Sequence, residues 1–297
     1  MEVCHEQSEE KSAGMMDTLS VSTCAEDDGQ YATQWKWRRG NANMPSSGGT
    51  ITTRVSAKYS DDQVILAELG AIHHLLCVVQ VQGTNRLGNG LAIEASCGAI
   101  RKAVAKGTLK KDAAGRTDKP HVALFSQFLA TKFFEASISV VTPGRWALTQ
   151  PRVVQNYEIV LDDPPMASIK SDAGNIVVSR HALNRFVERF VAAEQITAGQ
   201  VLVDVPDLKW TRAWRILETI VPQSRQVVIP RSEWQRIVRK YGQDTLAMYH
   251  ADSMNVFIVK REWFGLVMVT AIRDSDYNRI VPKLPTYAGG RLIHQVS

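Results

Sequence analysis

SDDQVILAELGAIHHLLCVV, residues 60–79, is the stretch on which the fold of this chain turns. Ser60, Asp61 and Asp62 are helix-capping residues. Ile65, Leu69, Ile72, Leu76 and Val79 then recur at i, i+4, i+7, i+11 and i+14, which is one apolar face at the helical period. Glu68 borders that face rather than opposing it. Upstream, Leu19–Cys24, Gln30–Arg38 and Thr50–Tyr59 are rich in β-branched and aromatic residues, including Tyr31, Trp35 and Trp37, and are expected to be strands. The segment Asn41–Gly49 between the last two is a loop of Asn, Pro, Ser and Gly. Residues 1–17 are expected to form an acidic flexible tail.

Downstream of the helix, Leu91–Ala95 is a short strand and Cys97–Lys106 a second helix. Lys106–Lys119 is a basic loop, about His121–Ala136 a third helix and Ile138–Thr142 a strand, so the order is β-β-β-α-β-α-α-β. Arg145–Asp172 connects, with one strand over Val153–Leu161 and the breaker Asp162–Asp163–Pro164–Pro165. A domain boundary is expected between about 162 and 175. Beyond it come a strand at Asn175–Val178, a helix at Ser179–Ala193 capped by Ser179, and a helix over Lys209–Ile220. Gln226–Ile229 is a strand and Ser232–Lys240 a helix. Thr245–Tyr249, Asn255–Lys260 and Phe264–Arg273 are three strands of a meander, followed by a loop-like tail after Val281.

Three strands, a helix bearing Ala67–Glu68–Leu69, and a strand running into a helix resemble ribonuclease H. The resemblance implies an α+β fold with a mixed sheet over residues 18–162, and it makes Glu68 the match of a metal-binding glutamate. Two-metal hydrolysis needs several carboxylates around ions about 4 Å apart. Here Ser22, Thr23 or Cys24 falls where the first strand should supply one, and Ser96 stands where an aspartate is expected after Leu91–Ala95. The domain is therefore expected to be catalytically degenerate, with Glu68 an ordinary helix-border residue. The alternative is a rearranged magnesium or manganese site of Glu68, Glu94 and Asp28 or Glu26. His73 and His74 lack a metal-ligand pattern and are expected to be surface or satisfied core histidines.

The helix at Ser179–Ala193 has two faces. Leu183, Phe186, Val187 and Phe190 form its buried stripe, while His181, Arg185, Glu188 and Arg189 gather opposite. An imidazole and two guanidiniums on one face suit a phosphodiester, since arginine binds phosphate bidentately and histidine moves protons near neutral pH. A solvated face with a Glu188–Arg185 pair is the competing explanation. A HALxRFxER helix, a second helix and a terminal meander with a basic strand resemble the BrnT/RelE-type toxin ribonucleases. That resemblance implies a domain over 175–283 of two or three helices on an antiparallel meander, with a tail at 284–297. It also implies metal-independent RNA chemistry by His181, Arg185, Arg189, Lys260 and Arg273, with Thr270 among the matching residues. Arg236, Arg239 and Lys240 make a basic ridge at i, i+3 and i+4, and Arg212 and Arg215 add to the candidate nucleic-acid contacts. Trp210 and Trp214 are expected in the core, Trp234 either there or stacking on bases, and His250 exposed at a turn.

Composition is that of a globular protein, 44% apolar and 22% charged, which argues against a disordered or fibrous chain. The net charge is +5, and because residues 1–28 carry −7 the remainder carries +12, a balance that favours phosphate-bearing partners. No apolar run approaches the roughly 18 residues of a membrane span, and the N-terminus has no secretory core. Cys4, Cys24, Cys77 and Cys97 are scattered without a CxxC pair, which fits a reducing cytoplasm and no zinc site. Three functions compete, in this order: an RNA-binding or ribonucleoprotein assembly protein, with a protein partner also conceivable; a cofactor-free ribonuclease using the His181/Arg185 face; and a divalent-metal nuclease using Glu68 and Glu94.

Overall fold

The computed structural model describes residues 16–40, 46–59, 62–83, 87–106, 118–141, 151–191 and 208–273, and the backbone of 286–288 and 291–293. The expected tail up to residue 15, most of the Asn41–Gly49 and Lys106–Lys119 loops and the segment 192–207 lie outside them. The described part is a mixed α+β protein with two mixed sheets and six helices.

The first sheet has the order β5-β4-β1-β2-β3-β6, with β7 also on β3. Its strands are β1 (Asp17–Ala25), β2 (Gln30–Arg38), β3 (Ser47–Val55), β4 (Leu91–Ala95), β5 (Ser137–Val140), β6 (Val153–Val154) and β7 (Tyr157–Leu161). The chain joins β1 already at Asp17, whose carboxylate accepts from Gly40 N at 2.8 Å, so this residue is no part of a tail. β1, β2 and β3 are antiparallel neighbours, and β4 runs parallel to β1. Alternation sends Leu19, Val21, Trp35, Ile51 and Ile93 to one face. Helix α1 (Gln63–His73) buries Leu66, Leu69 and Ile72 there. A side chain on Gly70 would meet Leu161 Cδ1 at 2.3 Å, so glycine is what lets α1 come this close to β7. The helix then widens into a π-helical turn at His74–Val79.

Two expected elements break. The strand over Val153–Leu161 splits into β6 and β7, because Gln155 N turns to Gly48 O (2.8 Å) and the Asn156 side chain takes Thr50 N (3.0 Å) in place of a ladder bond. The helix at His121–Ala136 stops early: after α2 (Gly98–Arg101), α3 covers only Pro120–Phe125, and successive turns follow. Ser126 and Thr131 donate back to Ala123 O (3.1 Å) and Gln127 O (2.9 Å), a local competition with the regular helix.

The second sheet has the order β10-β11-β12-β13-β9-β8. Its strands are β8 (Ser168–Ser171), β9 (Gly174–Val178), β10 (Arg225–Val227), β11 (Thr245–His250), β12 (Asn255–Glu262) and β13 (Gly265–Arg273). Successive strands from β10 to β13 are antiparallel, whereas β9 lies parallel to β13, which makes the sheet mixed. Helices α4 (Arg180–Phe186) and α5 (Leu208–Ile220) pack on the face of Phe257, Val259 and Met268. Helix α6 (Arg231–Tyr241) covers the other face through Ile237, against Val256, Ile258 and Ile272. Residues 286–288 and 291–293 pair as a small hairpin, β14 and β15, where a plain loop is expected from the sequence.

One apolar cluster runs through both sheets, from Leu19 and Ile93 to Phe186 and Phe257. Residues 132–135 carry the polar ties. Phe134 stacks on Trp210 at 4.6 Å, the Glu135 carboxylate accepts from Trp210 N and Thr211 N (both 3.1 Å), and Lys132 pairs with Glu218 at 3.3 Å.

Candidate nucleic-acid interface

Helix α4 begins where the pairing of β9 ends. β9 meets β13 only over Leu266–Met268. Past that point α4 takes over the edge of β13: Ser179 N donates to Met268 O at 3.2 Å, and Arg189 Nη1 donates to Ala271 O at 2.9 Å. The Ser179 hydroxyl caps the helix by accepting from Ala182 N at 3.1 Å. Ala182, Leu183, Phe186, Val187 and Phe190 are buried, which directs His181, Arg185 and Arg189 outward along one line. Arg189 sits in a π-helical turn, Val187–Val191, that continues the helix.

Across from this line stands α6. His181, Arg185 and Arg189 share a small cavity of about 100 Å³ with Arg236, Ile237, Lys240, Tyr241, Thr270 and Ile272. Thr270 and Ile272 lie opposite Ile258 and Val256 in the ladder, and so project to the face that α6 covers. The lining holds four cations and an imidazole, and no carboxylate. Among the described residues, acidic partners stand at its rim: Glu188 pairs with Arg185 at 2.9 Å, and Glu233 lies 3.8 Å from Arg236. Both pairs are formed within one helix at i,i+3, and Arg185 and Glu188 are solvent-exposed, where such contacts hold weakly. The Arg189 guanidinium is anchored at one nitrogen by Ala271 O and keeps further N–H groups for a ligand.

The other basic candidates are not part of this cavity. Lys260 pairs with Glu262 at 2.7 Å near the β12–β13 turn. Arg273 lies over the Phe190 ring at 6.0 Å. Arg239 is exposed on α6, and Arg212 and Arg215 are exposed on α5, which packs on the opposite face of the sheet. A larger cavity of about 360 Å³ is lined by Gln223, Arg225, Gln226, Tyr249, His250 and Asp252 among others. It opposes one cation with one carboxylate, so the smaller cavity is the one suited to an anion. His250 is buried there, 7% exposed, and does not stand free at the turn as expected. Its Nδ1 accepts from Ser253 N at 3.2 Å, which places the ring hydrogen on Nε2, facing Gln223 Oε1 at 3.3 Å.

In the first sheet the acidic candidates are separated. Glu68 is fully buried. Its carboxylate accepts from Ser96 N (2.8 Å), Cys97 N (3.3 Å) and the Ser96 hydroxyl. Burial pushes its carboxyl above the usual range, against the opposing pull of these donors. Glu94 pairs in the ladder with Ser20 and accepts from its hydroxyl at 2.5 Å. Ser20 and Glu94 alternate with Leu19, Val21, Ile93 and Ala95, which face α1, and so lie on the other side of the sheet from Glu68. The side chain of Asp28 lies outside the described residues. Among the described residues no group of three or more His, Cys, Asp or Glu converges as a metal site.

His73 is partly buried, edge-on to Phe128 at 5.0 Å, and this desolvation lowers its pKa to about 4. Trp214 is buried as expected, Trp210 is half-buried on Phe134, and Trp234 packs between α6 and its sheet. No helix among the described residues is long and apolar enough to cross a membrane. Comparison with known protein families, with curated proteins and with solved structures finds no match.

Proposed function

We propose that the protein binds RNA through the cleft between α4 and α6, and that the first sheet is a ribonuclease H-like unit that has lost its metals. The observation that carries the RNA reading is the carboxylate-free lining with Arg185, Arg189, Arg236 and Lys240. Guanidiniums grip phosphate oxygens bidentately, and each neutralised phosphate releases counterions. The basic remainder of the chain supports the same partner. The element order around Glu68 supports the degenerate-nuclease reading: the Ser96 N–H and hydroxyl and the Cys97 N–H face this carboxylate, giving it donors where a metal would need further acceptors. Such a protein would act as a binding or assembly factor for a ribonucleoprotein. A reducing cytoplasm suits it, since Cys24, Cys77 and Cys97 are unbridged.

Fluorescence anisotropy with a labelled single-stranded RNA tests this. Arg185→Ala and Lys240→Ala should each weaken binding several-fold and lower the salt dependence by about one phosphate contact. Unchanged affinity and salt slope in both variants would refute the cleft.

A second reading is favoured by one observation: His181 lines the same cavity as the arginines. In it the cleft cleaves RNA without metal, the substrate 2′-hydroxyl attacking the neighbouring phosphorus while His181 moves a proton and the arginines hold the phosphate charge. Cleavage that survives excess chelator, spares DNA and falls roughly 100-fold or more in His181→Ala would establish it. Binding without cleavage leaves the first reading.

A further inference from the structure

Trp263 is the most exposed large apolar side chain among the described residues, at 66%. It stands at the tip of the β12–β13 hairpin, just past Glu262, which faces Gly265 across the ladder. Its indole is held edge-on to Phe264, with centroids 5.2 Å apart and planes at 87°. The edge-on contact with Phe264 fixes the ring at the turn and leaves its flat surface accessible to a ligand. Its surroundings are charged rather than apolar. Arg261 beside it is exposed, and Lys260 and Glu262 pair with each other, so the indole does not belong to a wider apolar patch of the kind a protein partner buries.

The hairpin is anchored beside the cleft. Arg261 N donates to Asp244 O at 2.8 Å, and Lys260 Cε lies 3.8 Å from where a side chain on Gly242 would begin. Gly242 directly follows Lys240 and Tyr241, which line the cleft. Along β13 the turn at Gly265 is roughly 17 Å from Thr270 in the cleft wall, by the rise of a strand. A single strand whose phosphates occupy the cleft would have to cover that distance to bring a base to the hairpin, passing over rather than along β13, whose Leu266, Val267 and Met268 are buried and paired on both edges.

We infer that Trp263 is a stacking platform for an unpaired base of single-stranded RNA, extending the phosphate cleft; the inference rests on the RNA-binding reading of that cleft. Every base presents a π-face, so stacking is tolerant of sequence and adds affinity without touching a phosphate. A duplex keeps its bases stacked within itself and offers the indole none.

The test compares wild type, Trp263→Ala and Trp263→Phe. The probes are a single-stranded pyrimidine RNA long enough to span cleft and hairpin, the corresponding dinucleotide, the duplex of the same sequence, and anionic phospholipid vesicles. Trp263→Ala should lose roughly 5- to 150-fold in affinity for the long single strand. Trp263→Phe should keep most of it, and the dinucleotide, the duplex and the salt slope should be unaffected. Melting temperatures should coincide, because the side chain is exposed. Equal binding of the long RNA by wild type and Trp263→Ala overturns the inference and leaves the cleft reading standing. Absence of RNA binding by wild type overturns both. Vesicle binding lost in Trp263→Ala, with RNA binding unchanged, assigns the indole to a lipid surface and overturns the inference.

Discussion

The Glu68 carboxylate and the cleft between α4 and α6 are both clusters of polar groups near the end of a sheet strand, and they are built in opposite ways. Glu68 is turned inward and faced by donors of its own chain: two backbone N–H groups and a hydroxyl. Being fully buried, it is out of a ligand's reach. In the cleft, like charges from two helices distant in sequence are brought together, with the acidic partners Glu188 and Glu233 at its rim. Folding gains little from such an arrangement, because like charges repel and their helix-surface pairs are weak. The difference teaches that a buried cluster of complementary groups acts on stability, whereas a surface gathering of like charges acts on binding, and variants should separate the two.

The largest effect should come from Glu68. Glu68→Ala strips partners from two N–H groups and a hydroxyl in a buried place and should cost about 3 kcal/mol in chemical denaturation. Glu68→Gln keeps one oxygen for the N–H groups and offers its amide to the Ser96 hydroxyl, so it should cost less than about 1 kcal/mol. Equal stabilities for Glu68→Ala and wild type would break the comparison.

His73 sharpens it through pH. With its pKa lowered to about 4 from 6.5, the folded state resists protonation while the unfolded state accepts it. Its contribution is full above pH 6.5 and is lost as pH falls from 6.5 through 4, a loss on the order of 3 kcal/mol. His73→Phe keeps an aromatic edge near Phe128 and should remove that acid sensitivity in melts taken across the window. Glu68 works with the opposite sign, since a raised carboxyl pKa favours the fold at low pH and loses that favour as pH rises. Taking the difference between wild type and His73→Phe isolates the histidine. A wild-type stability curve no steeper than the variant's would contradict its burial.

Much of this architecture is legible in local pattern. The stripe Leu183, Phe186, Val187 and Phe190 defines which side of α4 is buried, and therefore where His181, Arg185 and Arg189 project. The first helix is less legible: Leu69 and Ile72 of its stripe are buried, but so are Leu66, Ala67, Glu68, Gly70 and Ala71, while Ile65 is only partly buried. What local pattern cannot contain is which distant element meets an exposed face. Arg236 and Lys240 read as a ridge on their own helix, and only the packing of α6 on the second sheet brings them to Arg185. His250 reads as a turn residue because its partner Gln223 lies 27 positions away. The opposite orientations of Glu68 and Glu94 depend on the β1–β4 register, and the early end of α3 on hydroxyls at Ser126 and Thr131 that compete with its backbone.

The smallest effect should come from the cap that starts α4. Ser179→Ala removes the acceptor for Ala182 N and should cost about 1 kcal/mol of stability, measured by denaturation. RNA affinity should fall at most about two-fold, because the packed stripe still fixes the helix. A much larger loss of affinity would mean that the cap, rather than the packing, positions the basic line.

The central claim is that the cleft holds phosphates, and the most direct measurement is the affinity of wild type for one single-stranded RNA across a salt series, beside Arg185→Glu/Lys240→Glu. Four cations on a single strand predict a log–log slope of about −3. The double variant should lose roughly 100-fold or more in affinity and much of that slope, with its melting temperature unchanged. A slope near zero in wild type, or equal binding by the double variant, would contradict the account.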